Sequence, residues 1–174
     1  MPWSPGSANV PEYTRPATWE DLKALVRGLN GAQVEYALVG GYAIAAHGFN
    51  RFSEDIDILV DPAAGNSRRW ILALSELPDR AAQVLAAEAD VFATERRYAI
   101  RVNDEFTIDV MPSIAGRSWE EMRRYIQTID LDGVPLRVLT LEGLLLTKQG
   151  ARPKDRMDAA MLERALAALG RSKP

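Results

Sequence analysis

A run in which acids alternate with aliphatic residues, Asp55-Ile56-Asp57-Ile58-Leu59-Val60, constrains this chain more than any other feature. Alternation at period two is the pattern of a half-buried strand, with Ile56 and Ile58 on the core face and Asp55 and Asp57 together on the other. Same-face neighbours on a strand lie about 6.6 Å apart between Cα atoms, so two carboxylates stand side by side at the strand entrance. Their mutual repulsion and lost hydration cost free energy unless a cation neutralises them, and a divalent ion does so. Alone, such a pair is more often a solvated strand edge than a metal site.

What lies about fifteen residues upstream changes that balance. Val34-Glu35-Tyr36-Ala37-Leu38-Val39 reads as a buried strand, Gly40-Gly41 as a turn, and Tyr42-Ala43-Ile44-Ala45-Ala46-His47 as a short helix ended by Gly48. Glycines let backbone approach a phosphate, and a helix start supplies unpaired N–H donors. The same glycines also suit a plain strand-to-helix turn. Taken with Asp55 and Asp57, they place an anion-binding element beside a cation-binding one.

The remaining pattern alternates helices and strands. Thr18 caps a helix that carries Glu20 and Asp21 in its first turn and Leu22, Leu25, Val26 and Leu29 at helical spacing, ending at Asn30-Gly31. Asn66 is positioned to cap a helix through Trp70 and Leu74, and residues 80–89 form an alanine-rich helix. Residues 98–102 and 106–111 read as a strand pair around Asn103-Asp104-Glu105, which puts Asp109 inside a strand, an uncommon place for a carboxylate. A helix over 118–127, a strand over 135–139, a helix over 141–149 capped by Thr140 and a closing helix over 154–169 complete the reading. The pattern predicts an α/β fold, a mixed sheet packed with helices, as one domain over 18–170 behind an extended proline-containing arm over 1–17.

Composition narrows the chemistry. With 47% apolar and 26% charged residues the chain has enough material for a core and is far from the signature of disorder. It has no cysteine and one histidine, His47, so any metal site is built from oxygen and suits Mg2+ or Mn2+. No basic cluster followed by an apolar run opens the sequence, and no apolar stretch approaches the ~20 residues of a membrane span, which predicts a cytoplasmic protein. A net charge of −3 argues against bulk attraction to nucleic acid, while a local basic face remains open.

Leu38-Val39-Gly40-Gly41-Tyr42-Ala43-Ile44 followed by Arg51-Phe52-Ser53-Glu54-Asp55-Ile56-Asp57-Ile58-Leu59-Val60 resembles the DNA polymerase beta-type nucleotidyltransferase superfamily. Within it, His47-Gly48, Arg51-x-Ser53 and the mixed-charge segment from Lys148 to Asp158 are most similar to small bacterial abortive-infection (AbiEii-like) nucleotidyltransferase toxins. The resemblance implies a polymerase beta-like fold in which Gly40 and Gly41 line the nucleotide phosphates. Asp55 and Asp57 then bind metal, and a third acid, best matched by Asp109, completes the site.

The implied reaction moves a nucleoside monophosphate from an NTP to a hydroxyl of an RNA end such as tRNA, a protein or a small molecule such as an antibiotic. A cognate antitoxin is an implied partner. A noncatalytic nucleotide-binding or interaction module on the same fold is the alternative from another class.

Several residues carry two readings. Arg51 and Ser53 either donate to the phosphates or serve as ordinary loop residues. Lys148, Arg152 and Lys154 either meet the triphosphate or the acceptor, or line an exposed helix junction with Asp155 near a helix start. Of these, Lys148 leans to function, continuing the apolar stripe of Leu141, Leu144 and Leu145. His47 more simply ends its helix, and Arg96-Arg97 and Arg123-Arg124 read as solvated faces.

Overall fold

A computed structural model of the chain describes residues 14–88, 90–93, 98–150 and 152–172. Most of the expected arm, residues 1–13, lies outside the described residues, as do Ala89, Arg96 and Arg97. Helix α1 (Trp19–Gly31) starts where the Thr18 hydroxyl accepts from the Asp21 amide and the Asp21 carboxylate accepts from the Thr18 amide, a reciprocal capping box. Its buried stripe is Leu22, Leu25, Val26 and Leu29, as the spacing predicts.

Six strands form a mixed sheet. They are β1 (Tyr36–Val39), β2 (Ile56–Val60), β3 (Ile100–Asn103), β4 (Thr107–Met111), β7 (Ile126–Leu131) and β8 (Val134–Leu139), in the order β3-β4-β2-β1-β8-β7. A two-stranded ladder, β5 (Ser113–Ile114) with β6 (Arg117–Ser118), stands apart. Strand β2 runs antiparallel to β1 and parallel to β4, so the acid-bearing strands lie next to each other in the same direction. The sheet and its helices, α2 (Gly40–Ala46), α3 (Ala64–Leu74), α4 (Trp119–Met122), α5 (Leu141–Leu146) and α6 (Pro153–Ser172), enclose one core that includes Tyr36, Leu38, Ile56, Ile58, Trp70 and Ile108.

The structure corrects several element readings. Asn66 does not cap a helix; it is buried inside α3, where its side-chain oxygen accepts from the Glu35 amide and its amide nitrogen donates to the carbonyls of Glu35 and Asp61. The alanine-rich segment is a 3-10 helix, Ala81–Ala87, entered from Arg80 in a left-handed backbone with φ 52°. The helix expected over 118–127 keeps its Ser118 cap but stops at α4 and the short 3-10 turn Arg123–Tyr125. From Ile126 the chain pairs with β8, and those ladder bonds override local helix propensity. Helix α5 ends at Leu146, where the Thr147 hydroxyl donates back to the Leu144 carbonyl, so Lys148 follows the helix rather than belonging to it.

Candidate functional site

One row of residues crosses the sheet and carries the chemistry. Val39 of β1 is the register partner of Asp57 on β2, Asp57 that of Asp109 on β4, and Asp109 that of Arg101 on β3. Register partners point to the same face, so the Asp57 and Asp109 carboxylates meet, while Asp55 stands just before β2 on the same side. Ile56, Ile58, Ile108 and Val110, between and beyond these acids, are buried in the core and fix which face the acids take.

The electrostatics follow from this crowding. Burial pushes the Asp57 carboxyl up to about 7, and the facing Asp109 charge and the hydrogen bond between the two acids push it the same way. Burial also raises the Asp55 carboxyl, against the opposing pull of Arg101. Because the folded value of Asp57 lies above its ordinary 3.8, the stability contributed by its protonated form is complete below that ordinary value and is lost as pH rises through about 7. The metal-free protein is therefore expected to lose thermal stability between roughly pH 4 and 8, and Asp57→Asn to flatten that slope. Coincident wild-type and mutant slopes in calorimetry over this range would contradict it.

Gly40 opens α2 directly over this pair. Its φ of 73° belongs to the left-handed region, and a Cβ there would collide with the Asp57 carboxylate. At Gly41 a Cβ would lie 2.7 Å from the Ser53 Cβ. The glycines thus let helix start, acid strand and loop close on one another. Val39 supplies no side-chain cap, which leaves the first amides of α2 without that acceptor. Gly40→Ala is expected to cost about 1–3 kcal/mol through backbone strain and collision; urea denaturation showing a change below ~0.5 kcal/mol, the scale of an ordinary surface substitution, would remove that constraint.

Opposite the sheet acids lies a basic group held by helix α6. Arg51 Nε donates to Asp158 Oδ1 at 3.0 Å, and Lys148 Nζ sits 3.2 Å from Asp158 Oδ2 and 3.5 Å from Asp155 Oδ1. Arg152 Nε donates to Asp155 Oδ2 at 2.9 Å. Asp155 and Asp158 are buried, and the charges that compensate them come from two separate loops. Ser53 donates its hydroxyl to the Asp55 carbonyl at 2.9 Å, so it shapes the loop that delivers the acids. Lys154 and Arg152 are exposed. His47 is the C-cap of α2, with Nε2 2.8 Å from the Leu139 carbonyl, a structural place. Arg123 is exposed beside Glu120, as a solvated face would be.

A cleft of about 570 Å³ joins the two groups, lined by Gly40, Asp57, Asp109, Arg51, Lys148 and Arg101 among others. Its acids suit a hard divalent ion in kind, since every donor is a carboxylate oxygen and burial beside the Asp109 charge favours the proton on Asp57, a cost that a cation would relieve. They are not closed around one point: among the described residues no three acids or histidines are gathered so as to hold an ion. Asp55 reaches Asp109 through Arg101, whose guanidinium lies between them. Arg101, Asp155 and Asp158 are the side chains whose part in this arrangement the sequence reading missed. The turn falls over 104–106, which pairs Arg101 with Asp109, whereas the expected turn over 103–105 pairs Arg101 with Thr107.

No helix among the described residues is long and apolar enough to cross a membrane. The family model described as nucleotidyl transferase AbiEii toxin, type IV toxin–antitoxin system, matches residues 23–168. No match is found among curated proteins. Among solved structures, a Thermotoga maritima protein assigned as a nucleotidyltransferase aligns over 91% of this chain and 94% of its own, with 18% identity and a TM-score of 0.55. An antigenic nucleotidyltransferase-like protein of Paracoccidioides brasiliensis aligns over 86% and 78%, with 15% identity and a TM-score of 0.49. The antibiotic-resistance factor ANT(2'')-Ia aligns over 86% and 93%, with 13% identity and a TM-score of 0.45. At these identities the first supports the fold alone.

Proposed function

The chain belongs to this AbiEii nucleotidyltransferase family, and on that premise we propose that it transfers a nucleoside monophosphate from an NTP to a hydroxyl at an RNA end, in a metal-dependent reaction. The observation that carries the reading is the row Arg101, Asp109, Asp57, Val39 with Gly40 beside it, which sets two carboxylates and a helix start around one cleft. Asp55, Asp57 and Asp109 are the residues that would hold Mg2+ or Mn2+, which when bound offsets the triphosphate charge and acidifies the acceptor hydroxyl.

The rest of the work falls to the chain. The acceptor oxygen attacks the α-phosphorus, its proton passes to the Asp109 carboxylate, and the bond from the α-phosphorus to the bridging oxygen breaks to release pyrophosphate. Lys148 and Arg51, held in place by Asp158, face the departing phosphates and offset the charge that builds there. The exposed Arg152 and Lys154 at the cleft rim support a polyanionic acceptor over a small molecule in an acidic pocket. A cytoplasmic location and a cognate antitoxin belong to the same reading.

The test is incubation of the purified protein with labelled NTPs, Mg2+ or Mn2+, and total cellular RNA. Label incorporated into RNA, dependent on metal and lost in Asp57→Asn, is the expected result; no label on RNA, with label on an antibiotic in a parallel incubation that replaces the RNA with antibiotics, would move the acceptor to the antibiotic class.

A further inference from the structure

We propose that Arg101 is a built-in counter-ion for the outer acids of the site, one that a divalent ion must displace, so that Arg101 sets the metal concentration at which the site loads. The proposal rests on the metal-dependent reading above. Its basis is that Arg101 occupies the place where positive charge is needed. Nε lies 2.8 Å from Asp109 Oδ1 and Nη2 3.1 Å from Oδ2, a two-pronged pair, and Nη2 is also 3.6 Å from Asp55 Oδ2. Of the other basic residues lining the cleft, Arg51 pairs with Asp158, Lys148 with Asp155 and Asp158, and Arg152 with Asp155, while the exposed Lys154 acts on Asp55 through its charge, less than Arg101 does. Among the described residues, Arg101 is the cation paired with Asp55 and Asp109.

The sheet builds this contact. Arg101 is the register partner of Asp109 across the antiparallel β3–β4 ladder, so its side chain starts on the same face and reaches the acid without a loop to position it. Strand β3 is the sheet edge, and the Arg101 side chain is 58% exposed, which leaves it open water to move into.

A dication and a guanidinium cannot share the acids at low cost. Both Asp109 oxygens already accept from Arg101, and the two cations would repel at contact distance. Loading therefore requires the guanidinium to leave. In return, the metal-free site keeps Asp55 and Asp109 drawn together instead of splayed by repulsion.

The test is Mn2+ binding, read from the paramagnetic signal of the free ion, for wild type, Arg101→Ala, Arg101→Gln and Arg101→Lys, with melting temperatures in EDTA and in Mn2+. Both neutral variants are expected to bind Mn2+ about five- to ten-fold tighter, the scale of one exposed but two-pronged ion pair. Arg101→Lys, which keeps the charge and loses the fork, should fall between them and wild type. Arg101→Ala and Arg101→Gln should melt below wild type in EDTA and gain more from Mn2+.

Equal or weaker Mn2+ affinity in both neutral variants overturns the proposal. So does an equal tightening in Arg137→Ala, whose guanidinium pairs with Glu35 away from the cleft, because bulk charge would then explain the effect. If Asp57→Asn abolishes Mn2+ binding while the Arg101 variants match wild type, the metal site stands and Arg101 has no part in it. If none of the proteins binds Mn2+, with or without a nonhydrolysable NTP, the metal-dependent reading falls and this proposal with it.

Discussion

Asp57→Asn is expected to weaken metal-dependent NTP binding by at least ~100-fold, beyond the 10–100-fold that losing an outer-shell partner of a metal site costs. The amide keeps the shape of the carboxylate and its place under Gly40, so the fold has no steric reason to change. What it loses is the negative charge that faces Asp109 across β2 and β4. In the metal-free protein that charge is a burden, because burial and Asp109 together push the Asp57 carboxyl up to about 7. The mutant should therefore be at least as stable as wild type near neutral pH in EDTA while failing to bind NTP in Mn2+. This pairing separates function from folding: a residue kept for stability would show the opposite signs. Calorimetric titration of a nonhydrolysable NTP in the presence of Mn2+, with thermal melts of the same samples, checks both halves. Unchanged affinity in a folded mutant would take Asp57 out of the mechanism.

The elements that position these acids were legible because each rests on local patterning. Leu22, Leu25, Val26 and Leu29 mark α1 by spacing, and Thr18 with Asp21 marks its start. The alternation around Asp57 gives β2 its two faces, and Ile56 and Ile58 are buried as it requires. Where pairing partners decide, local reading fails. The chain from Ser118 carries a sound helix start but leaves the helix after Met122 and spends residues 126–131 on a ladder with β8, an outcome set by pairing rather than by local propensity. Asn66 has the chemistry of a cap, yet it is used to tie the Glu35 backbone to the end of β2, a tertiary contact that no local window contains.

The same distinction applies to the site. Two carboxylates on one strand face are written in the spacing of Asp55 and Asp57. That Asp109 stands opposite Asp57, and Arg101 opposite Asp109, depends on strand order and on a hairpin register that shifts with one residue of turn. The buried acids of α6 were hidden for another reason. Asp155 and Asp158 look like ordinary residues of a charged helix start until Arg51 and Lys148, brought in from two other segments, neutralise them.

Lys148→Ala is expected to lower turnover by roughly 10²–10³-fold, the loss that follows removal of one preorganised electrostatic stabiliser. The residue is set just past α5, with its side chain 13% exposed and its ammonium over Asp158. It lines the same cleft as Gly40 and Asp57, so its charge faces the place where pyrophosphate departs. A purely structural lysine would also pair with Asp155 and Asp158, and the two roles differ in what survives its removal. Asp155 keeps Arg152 and Asp158 keeps Arg51, so both acids retain a partner in the variant and the fold should persist. A structural role then predicts a lower urea midpoint with near-normal turnover, whereas a phosphate role predicts lost turnover at saturating NTP with a modest change in midpoint. Lys148→Arg separates them further. It restores an ion pair with Asp158, so stability should return, but a planar fork does not reproduce a compact ammonium in this pocket, and turnover should return only in part. Turnover unchanged in Lys148→Ala, with circular dichroism reporting a folded protein, would assign the lysine to the α6 ion pairs alone.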